Sequence, residues 1–200
     1  MPTEPMGQLD LSIVTDLLIR RLEAYRDSSL LWNPNNLAVN PGPTYTISIT
    51  GSAPETVREE GDCQLSVYLF HVAPNAFARN LRDSNPISSQ SKVSGTTFPR
   101  FDLNLYYLLT AYSKDSYVQE QQAMSIALRC FEENPILEIN VPMGGKSGEC
   151  KISLTMANES TDVLGRLWQA TTVPLRLSTV YQVRVMLFSP EATRTQGMTP

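Results

Sequence analysis

Two stretches of this chain are apolar on both faces of an extended strand, and no other feature restricts the fold as much. In Phe101–Tyr112, Leu103, Leu105, Tyr107 and Leu109 fall on one side, and Tyr106, Leu108 and Tyr112 on the other. Cys63–Val72 repeats the pattern, with Leu65, Val67 and Leu69 opposite Tyr68, Phe70 and Val72. A strand that is apolar on one face only can sit with its other face in water. A strand apolar on both is expected inside a sheet, covered on both sides. These two strands are therefore expected at the centre of a sheet.

The helices are legible at helical spacing. Val14, Leu17, Leu18, Leu22 and Tyr25 form one stripe, which predicts a helix over about Leu11–Arg26 with Asp10 as its N-cap. Ala123, Ile126, Ala127, Cys130 and Phe131 form a second, over about Ser116–Glu133, ended by Asn134-Pro135 because the residue before proline leaves the helical region. Ser160 is placed to cap a short third helix, Thr161–Ala170, carrying Val163, Leu164, Leu167 and Trp168.

The remaining strands are shorter. Thr44–Thr50 alternates, with Tyr45, Ile47 and Ile49 inward. Ile136–Val141 and Glu149–Met156 read as two strands around a loop over Pro142–Gly148, and Thr179–Phe188 reads as the last strand. Strands that succeed one another without helical crossovers imply a mixed, mainly antiparallel sheet flanked by two or three helices, an α+β domain. The 200 residues suffice for one core, so a single domain spanning 1–200 is expected, with loose tails at about 1–8 and 190–200. Pro74–Arg100 is an unusually long connection rich in Asn, Ser, Arg and Pro, a candidate arm or contact surface with Phe77, Leu81 and Phe98 as anchors.

Composition narrows the function. Charged residues make up 18%, against roughly 25% in ordinary domains, so somewhat less desolvation opposes burial against a neighbour. The net charge is −4 and no Lys/Arg-rich run exists, which argues against nucleic acid as a partner. No apolar stretch approaches the ~20 residues a bilayer span needs, and the opening MPTEPMGQLD lacks the character of a secretory signal. Cys63, Cys130 and Cys150 are odd in number and far apart, which suits buried thiols in a reducing, cytoplasmic compartment.

The search for catalytic chemistry ends empty. Met143-Gly144-Gly145-Lys146-Ser147 lacks the first glycine of a phosphate-binding loop, and a strand is expected to follow it instead of a helix. His71 is the sole histidine; a triad or a cysteine nucleophile would have to use it, yet its strand position puts it on the face of Leu65, Val67 and Leu69, as a core residue. Cys130 and Cys150 fall on apolar faces and read as inert. Glu59, Glu60 and Asp62 lack the alternation and glycine of a calcium loop and read as a solvated turn. Asn158-Glu159-Ser160 has the form of a glycosylation acceptor but no signal peptide to give it meaning. Tyr106, Tyr107 and Tyr112 fit sheet packing better than base stacking. No catalytic, cofactor-binding or metal-binding residue and no small-molecule substrate is assigned. What remains is a binding or assembly module.

A resemblance goes further. Leu103, Leu105, Tyr107, Leu108, Leu109, Thr110, Ala111 and Tyr112, then Glu120, then Pro135, Ile136 and Leu137, resemble the central signature of tail terminators, or caps, of contractile injection systems, proteins with a Pvc16-like N-terminal domain. Residues 9–22 resemble that family's opening helix. His71-Val72-Ala73-Pro74-Asn75 with Arg79-Asn80 resembles its strand exit and long loop, and Leu164–Val185 its ending. The sequence departs at Leu175-Arg176-Leu177-Ser178, where the family tends to an aromatic before the arginine and a proline after it. The resemblance implies a structural cap, not an enzyme, that closes as a sixfold ring on the last layer of tube and sheath protein. It implies a cytoplasmic protein built into an injection particle. Phe77, Arg79, Asn80, Leu81, Arg82, Phe98 and Arg176 are the candidate assembly contacts. The alternatives are another tail-connector or baseplate-type module, a small binding domain, or a small enzyme built around His71 and a carboxylate.

Overall fold

The computed structural model describes residues 10–28, 46–56, 63–75, 101–114, 116–143, 146–171 and 173–187; of Phe101, Pro142, Met143, Lys146 and Ser147 the backbone alone is described. In chain order the elements are α1 (Leu11–Ser28), β1 (Ile47–Thr50), β2 (Cys63–Pro74), β3 (Phe101–Ser113), α2 (Tyr117–Glu133), β4 (Ile136–Met143), β5 (Lys146–Met156), α3 (Thr161–Ala170) and β6 (Ser178–Leu187). The strands form one six-stranded sheet in the order β1-β2-β3-β6-β5-β4. β1 runs parallel to β2, and every other pairing is antiparallel. This is the mixed, mainly antiparallel α+β architecture the strand order implies.

The two doubly apolar segments are interior strands, as their composition requires, with β3 at the centre between β2 and β6. Their alternation divides the molecule. Leu65, Val67, Leu105, Tyr107, Leu109, Ala111, Val183, Val185, Ile152 and Leu154 point to one face. There they meet Val14, Leu18 and Leu22 of α1 and Ala123, Ile126, Ala127, Cys130 and Phe131 of α2. Ala123 and Ala127 are fully enclosed, and their small side chains let α2 lie close to β3 and β2. Gly51 serves α1 in the same way: a Cβ there would stand 3.2 Å from Cγ2 of Thr15. At about 1.5–3 kcal/mol for each buried aliphatic or aromatic side chain, this face supplies most of the stability. A polar link lies within it: the hydroxyls of Tyr107 and Thr15 are 2.9 Å apart.

The other face carries a satellite cluster. Leu108, Trp168 and Val180 are buried there, with Phe70, Tyr106, Leu164, Leu167 and Val173 around them. Helix α3 covers this part. It starts as its sequence dictates, with the Val163 N–H donating to Ser160 Oγ, and Trp168 Nε1 donates to Ser178 Oγ at 3.0 Å. Val163, expected on the packed stripe, is instead 48% exposed, because the helix rests on Leu164, Leu167 and Trp168 alone.

Two further expectations are corrected. β4 and β5 run on through residues expected to form the loop Pro142–Gly148, pairing as far as Met143 with Lys146. Pro142 permits this because it lies on an edge strand, at a position whose missing N–H would point away from β5. The second correction concerns β2, where the register shifts between Leu69 and His71. Phe70 is the extra residue of a β-bulge, and the strand's alternation inverts beyond it. His71 therefore lies opposite Tyr106 on the second face, exposed, and Val72 lies opposite Leu105 on the first.

Candidate assembly surface

The pairing register gives the sheet two different ends. At one end, β2 finishes at Pro74, β3 begins at Phe101 and β6 finishes beside it at Leu187. The segments 76–100 and 188–200 depart from here. Asp102 organises this end. Its side chain is only 2% exposed, and it accepts from Arg184 Nε at 3.0 Å, Arg184 Nη2 at 2.6 Å and Asn75 Nδ2 at 3.1 Å. The Asn75 N–H also donates to the Asp102 carbonyl. The two flanks of segment 76–100 are thus clamped to each other and to β6. The paired carboxylate pushes the Arg184 guanidinium above its ordinary pKa, chiefly through these hydrogen bonds.

At the opposite end, β3 finishes at Ser113, α2 starts at Tyr117, and the segment before β6 joins the sheet through the Ala111 N–H bond to the Leu177 carbonyl. Large apolar side chains face outward here: Tyr117 is 77% exposed, Val118 59%, Leu175 70% and Leu177 38%. Between the last two, Arg176 folds back so that its guanidinium carbon lies 4.1 Å from the Tyr112 ring centroid, with Nη1 buried and unpartnered. Arg176 thus packs this segment against β3, and the neighbouring leucines face outward. Sequence reasoning singled out the arginine and passed over the leucines. Their signal was present, since apolar residues flank a charge directly after Pro174, where no strand or helix needs them. Tyr117 and Val118 likewise stood outside the α2 stripe. Phe77, Arg79, Asn80, Leu81, Arg82 and Phe98 lie outside the described residues, as do the tails 1–8 and 190–200.

The Tyr106 ring meets His71 at 5.3 Å and Phe70 at 6.5 Å, both tilted, so the bulge assembles a small, partly exposed aromatic group. Burial pushes the Cys130 and Cys150 thiols up to about 11, far from a reactive thiolate. Among the described residues no group of three His, Cys, Asp or Glu is placed to hold a metal ion, and no helix is long and apolar enough to cross a membrane.

Comparison with known proteins now decides the lineage. The sequence matches the Pvc16 N-terminal domain family over residues 13–199. The chain belongs to that family. Two solved structures share the fold of this Pvc16-type domain. The sheath/tube terminator of an extracellular contractile injection system, PVC, in its extended state, superposes with a TM-score of 0.53 at 18% identity, covering 98% of this chain and 64% of that one. The tube-terminating cap of the anti-feeding prophage gives 0.52 at 18% identity, covering 97% and 60%. This chain thus spans less than two thirds of the length of each. No curated protein matches the sequence.

Proposed function

We propose that this chain is a terminating cap of a contractile, phage-tail-like injection particle, a structural subunit that works by fitting a polymer end. The reading rests on one convergence: a Pvc16 N-terminal family match over residues 13–199, and a shared fold with two structures that are each terminators of such particles. Tube and sheath grow head to tail, so a growing end always presents an unsatisfied surface. A subunit that matches this surface on one side and offers no copy of it on the other stops addition. The two unlike ends of this sheet suit the task, one apolar at Tyr117, Val118, Leu175 and Leu177, the other polar around Asp102 and Arg184.

In this reading the partners are the tube and sheath proteins and further copies of the chain, closed as a hexameric ring around the particle axis. The apolar end buries against a neighbour in the assembly. Phe77, Arg79, Asn80, Leu81, Arg82 and Phe98 remain proposed contacts of the segment leaving the polar end. The chain acts as one domain, is made in the cytoplasm before incorporation, and carries out no catalytic step.

Deleting the protein and imaging the particles tests this. Overlong or ragged tubes, with sheath missing or unstable, are expected. Particles of normal length with an intact distal cap would overturn the reading.

A further inference from the structure

We infer that strand β4 is a docking edge for an extended strand of another protein chain, one with apolar side chains at alternate positions and a lysine or arginine set opposite Glu138. The inference stands on the sheet itself and does not depend on the particle reading.

The sheet has two edges, and the described residues treat them differently. β1 is four residues long, and the bond from the Cys63 N–H to the Thr46 carbonyl shows that Thr46, Ser48 and Thr50 face β2. Of its two outward residues, Ile47 has its carbonyl covered by Arg26 Nη1 at 2.6 Å. Shortness and a capping side chain are how proteins blunt an edge. β4 is twice as long and shows neither device over Ile136–Val141.

The ladder fixes which backbone groups are open. The Leu154 N–H donates to the Pro135 carbonyl at 2.8 Å, so with the β4–β5 register Leu137, Ile139 and Val141 bond inward. Ile136, Glu138 and Asn140 therefore aim both N–H and C=O away from the sheet, and Pro142 aims a C=O alone. Among the described residues nothing meets this row. A row of alternating donors and acceptors at strand spacing is matched by another strand's backbone, which identifies the occupant as an extended peptide.

Side chains refine the occupant. On the first face Leu137 and Ile139 are only partly buried at the rim of the core, so an added strand gains by placing apolar residues beside them. On the second face Ile136 is 52% exposed, and Glu138, although its carboxylate is 3.4 Å from Lys151, has a side chain still 58% exposed. That carboxylate also argues against β4 pairing with β4 of a second copy. The antiparallel register that bonds every outward residue sets Glu138 against Glu138, and a two-residue slip sets Ile136 against Pro142, which has no N–H to give.

The test uses the intact chain and the heptapeptide Val-Thr-Val-Lys-Val-Thr-Val, followed by residue-resolved amide shifts and hydrogen exchange. The amides of Ile136, Glu138 and Asn140 are expected to exchange freely without peptide and to become protected with it, while Leu137, Ile139 and Val141 are protected throughout. Asn140→Pro removes one outward donor and leaves the β5 ladder whole; it should keep the melting temperature and weaken peptide binding at least tenfold. Replacing the peptide's lysine with glutamate should weaken it severalfold. Four results would each overturn the proposal: outward amides already protected in the peptide-free chain, no perturbation at millimolar peptide, undiminished binding by a folded Asn140→Pro variant, or concentration-dependent pairing through β4 itself.

Discussion

Asp102 is the sole buried charged residue among those described, and everything around it is arranged to keep its charge satisfied. Removing Arg184 would leave the carboxylate with Asn75 as its remaining side-chain donor among the described residues. Breaking a buried pair costs about 3–5 kcal/mol, but the Arg184 side chain is 40% exposed and partly screened. Arg184→Ala is therefore expected to lose about 2–3 kcal/mol in urea denaturation, and Asp102→Ala with Arg184→Ala together less than the sum of the two single changes. The thiols give a pH prediction. Burial raises the Cys130 and Cys150 pKa values from 9.0 to about 11, so the folded state favours the neutral thiol. Their contribution is complete below pH 9 and is lost as pH climbs towards 11. Denaturation midpoints should fall across that window, the fall should be shallower in Cys130→Ala, and iodoacetamide at pH 8 should alkylate the native chain far more slowly than the unfolded one. None of the Asp102 arrangement was visible beforehand, since Asn75, Asp102 and Arg184 carry no pattern along the chain and meet only through strand pairing.

Among the elements, α3 has the least holding it. It rests on a cluster with three buried members, and its N-terminus depends on the Ser160 hydroxyl. Ser160→Ala should cost about 1 kcal/mol and Trp168→Ala about 3–5 kcal/mol by circular-dichroism melts. In the Trp168→Ala variant hydrogen exchange should rise in Thr161–Ala170 first and leave α1 and α2 protected. Elements of this kind were legible in the sequence. The stripes of α1 and α2, the Ser160 cap and the doubly apolar strands each follow from local spacing, because burial on one face imposes it. The bulge at Phe70 was not, since one extra residue in a continuous apolar run changes no local pattern. Counting by twos beyond it put His71 in the core, and His71 is at the surface. The extent of the β4–β5 hairpin was hidden for a related reason: Pro142 reads as a breaker until the strand is known to be an edge.

At the scale of the whole molecule, the proposed contacts divide into those the structure positions and those it does not describe. Leu175 and Leu177 are positioned, held outward by Arg176 on Tyr112. Leu175→Lys with Leu177→Lys should leave the unfolding free energy within about 0.5 kcal/mol, as for most surface changes. It should also markedly reduce recovery of the protein in purified particles, measured by quantitative blotting against tube protein. Arg176→Ala should reduce recovery through the same surface by freeing the segment. The clamp at the other end has a different consequence. Because Asn75 and Asp102 are hydrogen-bonded neighbours, the chain leaves the sheet and re-enters it at essentially one point. An excursion with coincident ends imposes no geometry on its anchor, and added length costs only logarithmically. Residues 76–100 can therefore diverge, lengthen or be exchanged between relatives like a fitting on a common socket, while the body that carries them keeps its register.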